Sequence, residues 1–498
     1  MNTHSRAAGR VLVALALVAL AIACSDNPAL EVRYQAEKMY EQTERRLEEL
    51  RMRPDMGGAQ LKQNIADSYG DIFQHCLQGL SEVDSARYPV ESREIATLAH
   101  QAASRLTQMY YTIDHYDTCV TILSRLLTEV DMYKSDRMIT YINLGQCLQA
   151  AGQWDSALAV YDNAVDSFYP PISSNKIVGR LFNLPTHVLR VIARLGDSTA
   201  FNQRFGWAES YYQRLIDDYP GTIVVTPSHS NLAQIYQMKG DWEKAIEHLA
   251  MMKNPAGATL TQARLEIADI YARNLRQLAT ALNHYDDLMA DLQPADSNLI
   301  PLIKLKKASV KMDQRKYSEA RDILVDVREN HRGAFSSSPL AQYTLARSFE
   351  LEGNFNRALA EYKILLEKYR ESDEALSTYL YLAREFEEQG RHGEATRWYQ
   401  DAARVYDELI ARGSGTIDEA RGLLFKSDLA GQQGRWQETA QMLTDVFDKF
   451  PKHSLGQRAM VNAIRVHQHK LNNPQIADSL RQVLRRSLAR AESPTFES

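Results

Sequence analysis

The fold class this sequence predicts is all-α, a solenoid of stacked helix–turn–helix hairpins. Three observations carry that prediction. A frame of apolar, small and aromatic residues recurs ten times along the chain. Glycines stand at a fixed place in several copies, where a left-handed residue ends a helix. Aromatic-proline pairs at Tyr169-Pro170, Tyr219-Pro220 and Phe450-Pro451 stop the second helix of their copies. No single hairpin buries its apolar face alone, so neighbours must stack to build a continuous core.

Residues 1–23 read as a signal peptide. Arg6 and Arg10 make a positive start with no acid, and Val11 to Ala23 is a run of 13 apolar residues. A membrane-spanning helix needs about 20, whereas a signal peptide's apolar core takes about 7–15. Ala21-Ile22-Ala23-Cys24 resembles the bacterial lipobox, with Ala21 where leucine is commoner. That resemblance implies cleavage before Cys24 and a lipid on its sulfur. Each buried CH₂ of such a lipid contributes about 0.8 kcal/mol, and stable anchoring takes more than one chain. Ser25 after the cysteine is similar to the sorting signal for the outer membrane of Gram-negative bacteria, with the protein body in the periplasm. Residues 24–31 are then expected to be a short tether.

Residues 32–89 read as the next element, N-terminal helices that either cap the array or begin it with a short coiled coil. Val32 to Arg51 is charged but carries Ala36, Tyr40, Thr43, Leu47 and Leu50 at three-to-four spacing, a helix stripe that Pro54 ends. Residues 60–85 read as a second helix before Tyr88-Pro89.

The array spans residues 90–488. Leu345 to Tyr369 and Leu382 to Tyr406 share Leu-Ala-Arg, then Phe, Gly, Ala and Tyr, all offset by 37 residues. The small-residue landmarks of the ten copies are Cys119, Ala157, Ala208, Ala245, Ala281, Ala320, Ala358, Ala395, Thr439 and Ala477. Their gaps are 36–39 residues except for one of 51 and one of 44. Small residues such as Gly145, Ala157, Ala358 and Ala395 suit the points where two helices cross closely. Tyr161, Tyr236, Tyr362 and Tyr399 are expected to fill the gaps between successive hairpins. Gly152, Gly240, Gly353, Gly390 and Gly434 are expected to be left-handed. Longer connections are expected at 170–179, 197–206, 294–301 and 333–339, the first two inside the 51-residue gap. Residues 489–498 read as a disordered tail.

The Leu-Gly/Ala pair, the later aromatic, the Gly-x-aromatic turn and the Ala-x3-Tyr that follows resemble the tetratricopeptide repeat (TPR). With the lipobox, the chain resembles a bacterial TPR lipoprotein. The resemblance implies a TPR superhelix whose first helices line a groove that grips a protein or peptide. Carried over by register, the groove positions are Ile142, Gln146 and Gln149; Ser230, Gln234 and Gln237; Tyr343, Arg347 and Glu350; and Leu380, Arg384 and Glu387. The glutamines offer donors and acceptors to an extended backbone, and the arginines fork onto carboxylates. A competing reading pairs Arg347 with Glu350 and Arg384 with Glu387, since residues three apart on a helix neutralise each other for a few tenths of a kcal/mol.

Composition excludes several other classes. The net charge is −5, or −7 without residues 1–23, and no basic run points to nucleic acid. Beyond Cys24, the cysteines Cys76, Cys119 and Cys147 are far apart, without metal-site spacing, and read as buried thiols. Phosphate-binding glycine loops, the HExxH zinc motif and the GxSxG elbow are absent. His467 and His469 alternate and would point in different directions on a helix, and Glu387-Glu388 reads as a solvated face. No catalytic residue, metal or cofactor is expected. The function implied is a non-catalytic, lipid-anchored scaffold of an outer-membrane assembly or trans-envelope complex. The alternative is a SusD-like glycan-binding lipoprotein, which shares the lipidated cysteine and length but devotes more of its chain to irregular loops.

Overall fold

The second helices of the array begin by a shared device, a turn whose left-handed residue stands, in all copies but one, five places before the landmark. In nine of the ten copies the residue at that place has positive φ: Asp114, Gly152, Gly240, Arg276, Arg315, Gly353, Gly390, Gly434 and Asn472. The remaining copy turns at Gly196, also left-handed, and then adds length to its second helix. The five glycines are at the places expected. The four non-glycine residues tolerate a conformation that costs an ordinary side chain about 1–2 kcal/mol.

This computed structural model describes residues 27–52, 59–171, 176–196, 198–254, 257, 259–330 and 337–491. The signal segment, Cys24 and the Pro54 stop lie outside them. The described residues hold twenty-two α-helices, one short 3₁₀ segment and no strand beyond an isolated bridge between Lys253 and Thr259. No described helix is long and apolar enough to cross a membrane.

Two units divide the chain. The first, ending at Leu184, opens with α1 (Pro28–Met52) and α2 (Ala59–Glu82). The helix α1 starts inside the segment expected to be a tether, because Asn27 caps it: its side-chain oxygen accepts from the Ala29 amide at 3.1 Å. Hairpins 1 and 2 follow as α3 (Pro89–Thr112) with α4 (Tyr116–Glu129), and α5 (Lys134–Ala150) with α6 (Trp154–Ser167). The three thiols of this unit, Cys76, Cys119 and Cys147, are free and fully buried. Burial pushes the Cys76 thiol up to about 12.

The second unit, Pro185–Leu488, holds the rest of the array. Its helices pair as α7 (Lys176–Leu195), whose first residues belong to the first unit, with α8 (Ser198–Asp218), α9 (Val225–Lys239) with α10 (Trp242–Ala250), and α11 (Thr261–Arg273) with α12 (Leu278–Ala290). Then come α13 (Ile300–Asp313) with α14 (Tyr317–Asn330), α15 (Ser337–Leu351) with α16 (Phe355–Lys368), and α17 (Asp373–Glu388) with α18 (His392–Arg412). Last are α19 (Ile417–Gln432) with α20 (Trp436–Lys449), and α21 (Ser454–His469) with α22 (Pro474–Ala491). The final helix thus runs into the first residues of the segment read as a tail. Residues 176–179 and 198–206 are helical rather than connecting. The extra sequence of the 51-residue gap went into α7 and α8, of 20 and 21 residues, and that of the 44-residue gap into the 21 residues of α18.

Nine landmarks, from Cys119 to Ala477, are fully shielded from solvent, and Thr439 nearly so. A very close crossing is at Gly145, where an added Cβ would lie 2.1 Å from the Tyr161 ring. The same register holds Ala233, Ala346 and Ala383 in other hairpins, so those crossings already admit a methyl group. Core clusters ignore hairpin borders: Ala346, Tyr362, Leu382, Phe386 and Ala395 belong to one cluster that runs from α15 to α18. Tyr161, Tyr236 and Tyr362 are buried as expected, but Tyr399 is half-exposed. Tyr406, one heptad later on the lengthened α18, is buried in the next cluster and donates to the Leu376 carbonyl at 2.6 Å.

Gly145→Ala is expected to lower stability by about 1–3 kcal/mol, the usual range for overpacking, and to shift the urea midpoint down. An Ala346→Gly control leaves room rather than removing it and does not produce this steric effect.

Candidate functional site

The candidate partner-binding face is built by the first helices of the hairpins. Along the second unit, α11, α13, α15, α17, α19 and α21 each touch the next in that series. The second helices do not touch one another to that extent; each packs instead on the first helix of the next hairpin. First helices gathered side by side and second helices spread apart curve such a stack towards the first-helix side, which becomes its concave face.

On this face, three consecutive helices assemble a closed polar network. The Glu350 carboxylate on α15 accepts from the Tyr362 hydroxyl of α16 at 2.8 Å, and also from Tyr381 of α17 and from Arg347. Arg347 donates to the Tyr381 hydroxyl at 3.0 Å. The Tyr343 and Tyr362 rings lie 5.9 Å apart, and the Tyr362 and Tyr381 rings 5.6 Å apart. Burial, reinforced by the Glu350 charge, raises the pKa values of Tyr362 and Tyr381. Arg347 and Glu350 therefore stand together on the expected face, but they satisfy each other and the tyrosines.

Several other groove residues are also engaged within the fold. Gln149 accepts from the Tyr161 hydroxyl at 3.3 Å, the same bond in the same register as Glu350 with Tyr362. Hairpin 4 has Leu249 in place of that tyrosine, and Gln237 instead donates to Glu266 of α11 at 2.8 Å. Gln234 accepts from Arg190 at 3.0 Å. Gln146 is half-buried on α5, while Ile142 on that helix is buried. The anticipated Arg384–Glu387 pair does not form. Glu387, in the last turn of α17, meets His392 across the hairpin turn at 2.8 Å. Arg384 lies 3.6 Å from Glu388 and rests over the Tyr381 ring at 5.6 Å.

Arg384 opens onto a cavity of about 580 Å³ in the last three hairpins. Leu380, Tyr381 and Arg384 come from α17; Phe425, Ser427 and Asp428 from α19; Trp436 and Leu443 from α20; Asn462, Arg465 and Val466 from α21. The sequence-based set stopped at hairpin 8. Continuing its register by one copy lands on Asp428, which stands eleven residues before Thr439 as Arg347 does before Ala358 and Arg384 before Ala395. Among the described residues no group of three or more metal-ligating side chains is gathered.

A tetratricopeptide-repeat family profile matches residues 305–373 and 343–404, and a second profile of that name matches residues 138–163. The chain carries tetratricopeptide repeats. The matched stretches fall on hairpins 2 and 6–8, and the other TPR hairpins keep the same frame. No curated protein matches the chain. Yeast Tom70 is a similar solved structure, at 11% identity and TM-score 0.35, covering 93% of this chain and 96% of that one. The apo quorum sensor NprR from B. thuringiensis has 10% identity and TM-score 0.33, covering 70% of this chain and 97% of its own. A tetratricopeptide repeat protein from Parabacteroides merdae has 10% identity and TM-score 0.29, covering 62% and 99%. Likenesses of this level say nothing of what the present chain binds.

A histidine pair lies on α9 and α10, where His229 Nδ1 and His248 Nδ1 are 3.1 Å apart. Burial lowers both pKa values from the ordinary 6.5, and the neighbouring His248 lowers that of His229 further. Lys244 also lowers His248, while Glu247 and Glu209 oppose the shift.

Glu350→Ala is expected to destabilise the chain by about 2 kcal/mol, the scale of hydrogen bonds to a charged group, as read by urea unfolding. For the histidines the folded pKa lies below the unfolded one, so the unfolded chain binds more protons under acid conditions. Their contribution is full above about pH 6.5 and is lost as pH falls below it. Urea midpoints followed from neutral to mildly acidic pH should drop less in His248→Gln than in the native chain.

Proposed function

We propose that this chain is a non-catalytic scaffold that holds a protein or peptide partner against its first-helix face. The observation that carries this reading is the cavity beside Arg384, where three successive first helices bring aromatic, apolar and charged side chains to one opening. TPR proteins bind protein or peptide partners, and the arrangement suits an extended segment that lies across several hairpins. We place the scaffold in the cell envelope of a Gram-negative type bacterium, tethered to the outer membrane through a lipid on Cys24 and facing the periplasm. That placement is supported by the positive start, the 13-residue apolar run and the small residues before Cys24. The corresponding role is within an assembly or trans-envelope complex.

Photo-crosslinking groups placed in the native cell at Arg384 and, as a control, at exposed Glu367 of the second helix α16 test the binding face. A discrete adduct is expected from Arg384 only. Equal patterns from both positions, or none from either, would refute the partner-binding face. Cys24→Ser is expected to abolish labelling by a fatty-acid analogue and to move the chain out of the membrane fraction; unchanged membrane recovery would refute the lipid tether.

A further inference from the structure

We propose that the cavity of the last three hairpins receives a basic side chain, a lysine or arginine of the partner segment, with Asp428 as its anchor. This rests on the reading of the first-helix face as a partner-binding surface.

The Asp428 side chain is exposed to the cavity, and no described residue donates a hydrogen bond or forms an ion pair with its carboxylate. The surrounding helices nevertheless crowd it enough that loss of water raises its pKa, with Arg458 pulling the other way. An accessible carboxylate that has lost part of its hydration and gained no partner is an unmet demand for a cation. The walls fit the rest of such a side chain. Phe425 stands three residues before Asp428 on the same helix face and offers a ring to a cation. Leu380 and Leu443 suit the methylene stem that a lysine or arginine lays along apolar surface.

Two guanidinium groups line the same cavity, and they frame the rival. Arg384 is held over Tyr381 near Glu388, and Arg465 is exposed. Neither bonds to Asp428. In the register of the repeats Arg347, Arg384 and Asp428 are equivalent, and the sign changes at the third. The net charge of −7 without residues 1–23 further favours a cationic partner in the encounter.

The test uses the full chain and four short peptides blocked at both ends, identical apart from a central Lys, Arg, Gln or Glu. Binding is followed by fluorescence anisotropy at low salt. The Lys and Arg peptides are expected to bind about tenfold or more tighter than the Gln peptide. Asp428→Asn should erase that preference, and Asp428→Lys should turn it towards Glu. Asp428→Asn removes a carboxylate that desolvation disfavours, so its urea midpoint, measured alongside, is expected to equal or exceed the native one. Preference for the Glu peptide, lost in Arg465→Ala, would overturn the basic anchor and leave the partner-binding face intact. Failure of all four peptides to bind also overturns the anchor; only the additional failure of Arg384 crosslinks in the cell would overturn the face.

Discussion

Everything in this chain depends on how closely two helices can approach at one small residue. At each landmark the second helix of a hairpin offers little or no side chain, and the first helix settles against it. A larger residue there would separate the pair, and the ring that fills the neighbouring space would lose its seat. Hairpin 2 takes this furthest, because the Tyr161 ring presses on the backbone of Gly145 itself. Since core clusters run across hairpin borders, a fault at one crossing is felt by the next pair. Stability in such stacks is a sum of local pieces and the interfaces between neighbours.

The same closeness orders the polar groups of the first-helix face. A tyrosine drawn into the crossing must bring its hydroxyl with it, and a buried hydroxyl needs a partner. Gln149 and Glu350 supply that partner from matching places. Their amide and carboxylate oxygens serve the hairpin before they are available to anything outside. The groups left for a ligand are those without such an obligation, and they concentrate in the last three hairpins, where Gly431 occupies the place of Glu350. That glycine removes a side chain and helps open the space beside Asp428.

Much of the fold was legible in the sequence because its determinants are local. Small residues, turn glycines and aromatic-proline stops each act within a few residues of where they stand, and each is visible as a letter. Asp114, Arg276, Arg315 and Asn472 were not legible as left-handed, because their conformation is imposed by the two helices they join. The lengthened α7, α8 and α18 were read as loops or missed, since inserted sequence of ordinary polarity does not declare whether it extends a helix or leaves it. The binding face was legible only as positions. Whether Glu387 meets Arg384 or His392 depends on the path of the turn between α17 and α18, and three-residue spacing alone does not contain that information. Asp428 is within reach of the register, but its acidic letter differs from the arginines before it and so does not announce the position.

The two long gaps exceed the 37-residue offset of hairpins 7 and 8 by seven (44 against 37) and by fourteen (51 against 37). At about 3.6 residues per turn, seven residues are close to two full revolutions, so the apolar stripe returns to almost the side it left. Inserted sequence of that size lets α18 grow along its axis while Tyr406 still points inward. A chain of this kind can therefore gain reach only in near-integral pairs of revolutions; an insertion of five residues would swing the stripe roughly half-way round and leave the following hairpin nothing to rest upon.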